Sequence, residues 1–88
     1  MKLKYSFETV DMGEEIISVP VGEGVEKIHG ILKHNKEGQE ILEQLEEDTT
    51  EEQIVDVLAS KYENDRETLA AYVHRTVETL RNAGLIEE

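Results

Sequence analysis

The stretch KIHGILKHNKEGQEILEQL, residues 27–45, contains the change of period on which the fold turns. Up to Lys33 it reads as a strand, the end of VEKIHGILK at residues 25–33, in which successive side chains take opposite faces. From Asn35 onward the apolar residues recur at helical spacing. Asn35 is an N-cap by residue type, Glu37 falls in the first turn where the helix dipole favours a carboxylate, and Ile41, Leu42 and Leu45 form an apolar stripe. The spacing predicts a helix over 36–47. The same stretch gathers Lys27, His29, Lys33, His34 and Lys36 in a chain whose net charge is −12, a local excess of base that asks for a reason.

Upstream, period two persists. In LKYSFET, Leu3, Tyr5 and Phe7 share one face, and in EIISVPV, Ile17, Val19 and Val21 share one, with Pro20 near the strand end because proline cannot donate to a ladder. DMGE and VGEG are turn signals between the runs, so the expected sheet is a three-stranded antiparallel meander. Downstream, Thr50 with Gln53 and Asn64 with Glu67 have the capping-box form. Ile54, Val57, Leu58 and Tyr62 mark a second helix, and Leu69, Val73, Thr76, Val77 and Leu80 a third. Gly84 stands where a left-handed residue closes a helix, with Leu85 and Ile86 turning back to the core. Strands followed by helices make an α+β domain, and 88 residues make a single one, over 1–88.

Composition removes several classes of function. There is no cysteine, so no disulfide or thiolate metal site. No run is apolar enough to span a membrane or to form a signal-peptide core, which makes a cytoplasmic protein without membrane association the expectation. Serine occurs only at Ser6, Ser18 and Ser60, none in a nucleophile elbow, and the glycines of GEGVEKIHG lack the ending of a phosphate loop. His29 and His34, five apart on a strand, face opposite ways, and His74 is read as having no partner at i+4, so neither metal nor cofactor is expected. The last two helices could form a helix-turn-helix, which makes a winged-helix DNA-binding regulator the alternative function. Against it, no Lys or Arg occurs between Lys36 and Lys61 while nine carboxylates do, and phosphate binding needs a basic face.

The remaining reading is a peptide seat. A third strand at a sheet edge has unpaired backbone groups, which lysines either shield or leave open to an added strand. On the third helix Tyr72, Arg75 and Thr79 share a flank that could wall a groove beside that strand, suiting an acidic, amphipathic peptide.

Three segments carry a resemblance: IHGILKHNKEGQEILEQLEE, TTEEQIVDVLASKY and VETLRNAGLIEE. Their order and spacing resemble the PqqD-like family, the precursor-peptide recognition elements of ribosomally made, modified peptides. The resemblance covers nearly the whole chain. It implies a winged-helix-like domain of three strands and three helices, without catalysis or cofactor. Such a domain takes a leader peptide as an added strand and presents it to a modifying enzyme, often a radical S-adenosylmethionine protein. By position the strand contribution falls on Ile28, His29, Gly30, Ile31, Leu32 and Lys33, and the helix contribution on Leu69, Tyr72, Val73, Arg75 and Thr76. Few aromatics stand near the first helix, where Ile41 and Leu42 are found, so the pathway is left open between pyrroloquinoline quinone and another crosslinked peptide.

Overall fold

The computed structural model describes residues 1–22 and 32–88. Its elements run β1 (Lys2–Leu3), β2 (Ser6–Asp11), β3 (Ile16–Val21), β4 (Leu32–His34), α1 (Lys36–Gln44), α2 (Glu51–Lys61), α3 (Arg66–Asn82) and β5 (Ile86–Glu87). β2, β3 and β4 form an antiparallel sheet in that order, and β1 pairs with β5. This is the α+β, winged-helix-like arrangement, with one refinement at each predicted element.

The first predicted strand is two strands. Leu3, Tyr5 and Phe7 keep their common half-buried face, but the chain changes partner between them: Lys4 N–H donates to the Leu85 carbonyl (2.9 Å), and Ser6 begins the pairing with β3. In β3 the buried side is Ile16, Ser18 and Pro20, while Ile17, Val19 and Val21 face outward. The cause is the hairpin register, which sets Thr9 opposite Ser18 and Phe7 opposite Pro20. A hydroxyl can lie inside here because it is bonded: Ser18 Oγ is 2.9 Å from Thr9 Oγ1 and 3.4 Å from both His34 Nε2 and Gln39 Oε1. Of the third predicted strand, Leu32 and Lys33 lie in β4, which continues to His34; residues 25–31 fall outside the described part.

α1 ends at Gln44, three residues early. Its last turn has no basic residue, and Glu46, Glu47 and Asp48 would add negative charge at the negative end of the dipole. The Leu45 carbonyl instead accepts from Leu3 N–H at 2.9 Å. α2 starts at its Thr50 cap as predicted, though Val55 rather than Val57 is fully buried. α3 is capped by Asp65, not Asn64, since it is the Asp65 carboxylate that accepts from Thr68 N–H (3.1 Å). At its far end Gly84 has φ +78°, and Gly84 N–H and Leu85 N–H donate to the Arg81 and Leu80 carbonyls, both at 3.0 Å. That paired pattern is a Schellman closure, and it drives Leu85 and Ile86 into the core. The core is the packed faces of the three helices, led by Ile41, Leu45, Ile54, Leu58, Val73 and Val77, with Tyr5, Phe7 and Leu32 laid against them from the strands.

Candidate functional site

The phase of the ladder decides which backbone groups are free. In antiparallel pairs, residues alternately exchange hydrogen bonds and turn away from each other. Met12 N–H donates to the Glu15 carbonyl (2.8 Å), closing the hairpin one step beyond the Asp11–Ile16 pair. Counting from there, Ile17, Val19 and Val21 bond to β2, which leaves Ile16 and Ser18 to bond His34 and Leu32 of β4. Pro20, opposite Phe7, then falls where β2 asks no donor of it. Lys33, opposite Ile17, therefore directs its N–H and C=O away from β3, at the sheet's open edge.

Beside that edge lies a groove of about 340 Å³ between β4, α1 and α3. Leu32, Leu42 and Leu80 give it an apolar floor, and Lys33, Arg75, Thr76 and Thr79 a polar rim. At one end Tyr72, half-buried, donates its hydroxyl to Asn35 Oδ1 (2.9 Å), the same oxygen that caps α1 by accepting from Gly38 N–H (3.0 Å). Burial, reinforced by the Glu37 carboxylate, holds the Tyr72 hydroxyl above the usual phenol pKa, so it remains a donor. The Arg75 guanidinium carbon stands 5.9 Å from the centre of the Tyr72 ring, within cation–π range. Beneath, His34 Nε2 is 2.8 Å from Gln39 Oε1, which ties the strand to the helix that follows it.

Of the residues predicted for the site, Leu32, Lys33, Tyr72, Arg75 and Thr76 come together on this groove. Leu69 and Val73 do not line it; both are buried in the helical core. Ile28, His29, Gly30 and Ile31 lie outside the described residues. Gly38 and Leu42 line the groove unforeseen. Gly38 had a readable sign, a glycine inside a helix that has no need of one: a Cβ there would lie 2.7 Å from His34 Cβ and 3.2 Å from the Tyr72 hydroxyl. Metal-type donors come together once among the described residues, at Glu51, His74 and Glu78, within 4.8 Å of one another. The reading that His74 has no partner at i+4 is thereby corrected: Glu78 is that partner, one helical turn on, and a carboxylate is as able a ligand as a second histidine. His74 Nδ1 is already 3.0 Å from Glu51 and Glu78 is ion-paired with Arg81, and none of the three lines the groove.

Comparison with known families decides the relationship: residues 23–86 match the family described as coenzyme PQQ synthesis protein D (PqqD). The chain belongs to the PqqD family. No curated protein matches it. Among solved structures, one described as "TbiB1 in Complex with the TbiA(beta) Leader Peptide" superposes with a TM-score of 0.71 at 24% identity, covering 99% of this chain and 95% of that one. The PqqD match takes in β4 and the three helices, among them every element that lines the groove, and reaches the first residue of β5.

Proposed function

We propose that this PqqD-family chain is a noncatalytic chaperone that captures the leader of a ribosomally made precursor peptide. The leader adds as a strand to β4, lies along α3, and is held for a modifying enzyme of the radical S-adenosylmethionine type. The observation that carries this reading is the outward-facing Lys33 backbone beside an apolar-floored groove with Lys33 and Arg75 on its rim. Backbone hydrogen bonds supply affinity in such a mode, and alternate side chains entering a pocket supply selectivity. Family membership and the leader-bound structural neighbour support it from outside the chain.

Hydrogen exchange on the chain with and without the leader encoded beside it tests the mode. The Lys33 amide gains protection, whereas those of Leu32 and His34, already bonded to β3, change little. Saturable binding with Lys33 unaffected would move the seat elsewhere. Lys33→Glu and Arg75→Glu each weaken capture by about 1 kcal/mol, as partly exposed charges at an interface do. Calorimetry at two salt concentrations reads this, and equal affinities in wild type and both variants would reduce the two cations to edge protection.

A further inference from the structure

The sheet has a second open edge. Among the described residues β2 pairs with β3 alone. The ladder phase that frees Lys33 also turns the N–H and C=O of Phe7, Thr9 and Asp11 outward from β2. Alongside runs a groove of about 420 Å³, walled by Tyr5, Phe7 and Thr9 on the strand side and by Gln39, Leu42 and Glu46 of α1 and its end on the other. A strand edge beside a groove against a helix is the plan of the β4 seat repeated on the other side of Leu42, which lines both grooves.

The two edges differ in sign. Lys33 and Arg75 rim the first groove. Along the second, the β2 edge itself carries Glu8, on the face away from the groove, and Asp11; Glu46 lines the groove, with Lys4 as the lining cation, and Glu43 lies nearby on α1, its carboxylate 3.5 Å from Gln39 Nε2. Like charges directly across a strand pair destabilise it and opposite charges favour it. An acidic leader is therefore turned away from β2, while a basic strand is welcome there.

We propose that the β2 edge is a second strand-addition seat, for an extended basic segment of a protein partner, its apolar alternate residues entering the groove against Phe7 and Leu42. The seat stands on its own geometry and does not require the leader reading. With one sheet edge for each sign of charge, the domain would hold two different chains at once without exchanging their places.

The test is a titration of the isotope-labelled full chain, at low salt, with two synthetic peptides of about ten residues, one alternating lysine and valine, the other glutamate and valine. The lysine peptide is expected to shift the amides of Phe7, Thr9 and Asp11 more than those of Glu8 and Val10, and to leave Lys33 unmoved. Thr9→Pro removes one outward N–H while sparing the β2–β3 ladder bonds, and abolishes that response. Glu8→Lys together with Glu46→Lys, a pair that keeps the backbone intact, weakens it roughly tenfold. Lysine-peptide shifts spread over the exposed carboxylates of α1 and α2, with no two-residue rhythm in β2, would overturn the seat, as would indifference to the Glu8 and Glu46 reversals. The glutamate peptide reports on Lys33 alone, so failure at one edge is read separately from failure at the other.

Discussion

A single oxygen, Asn35 Oδ1, both starts α1 and anchors Tyr72, so the geometry of the groove rests on an atom shared between a helix cap and a side chain of α3. Gly38 permits the sharing, because any Cβ there would press on His34 and on the Tyr72 hydroxyl. Gly38→Ala is therefore expected to destabilise by about 1–3 kcal/mol, against the usual gain from alanine in a helix, since His34 Cβ is held by its strand and cannot retreat. Chemical denaturation measures the difference, and an alanine variant as stable as wild type would show that the approach is loose. At this scale the sequence was half legible. Asn35 could be read as a cap from its type, and Tyr72, Arg75 and Thr79 as one flank of the third helix from spacing, while Lys33 is set beside them by the family resemblance. The second bond of Asn35 could not, because its partner lies 37 residues away and only packing brings it there. Leu69 and Val73 were assigned to the seat by position, but the helix rotation that turns Tyr72 and Thr76 to the groove turns those two to the core.

Among the elements, the helices were the legible part, for apolar stripes, caps and the Gly84 closure are local chemistry. Their ends moved by what local chemistry omits: the Leu3–Leu45 bond that stops α1, and the competition between Asn64 and Asp65 for one cap. The strands suffered more, since a buried Ser18 hides the inward face of β3 from any reading that equates burial with apolarity. The α3 cap carries a pH dependence of known sign. The Thr68 hydroxyl, and after it the Thr68 N–H, hold the Asp65 carboxyl below the usual carboxylate pKa. A folded pKa below the unfolded one means that the cap's stabilisation is complete above about pH 4 and is lost as pH falls through the lowered folded value. Asp65→Asn keeps a capping oxygen without the proton equilibrium. Thermal melts from neutral to acid pH should therefore show a shallower decline for the variant than for wild type, and parallel curves would place the acid sensitivity in other carboxylates.

The whole molecule is strongly acidic, yet Lys33 and Arg75 meet on the rim of the β4 groove while carboxylates dominate α1, α2 and the β2 edge, with Lys4 the lining cation there. A winged-helix shape with this surface is ill suited to reading nucleic acid, because phosphate contacts would have to be made against a net charge of −12. Fluorescence anisotropy with duplex DNA at physiological salt should give no submicromolar binding; a tight, salt-sensitive isotherm would restore the regulator reading. The pairing of β1 with β5 bears on how such a domain comes together in time. Leu3 meets Ile86, Leu3 N–H meets Leu45, and Lys4 N–H meets Leu85, so this small sheet joins segments from either side of the entire helical unit. Its loop-closure cost is among the largest in the chain and is repaid only after the three helices have docked. Contacts of that kind are expected to form late on the way to the native state. Leu3→Ala should accordingly speed unfolding in stopped-flow experiments while leaving the refolding rate nearly unchanged, whereas a slowed refolding limb would put this pair in the folding nucleus. The β1–β5 clasp would then act as a latch on kinetic lifetime, setting how long the assembled groove persists rather than how fast it is built.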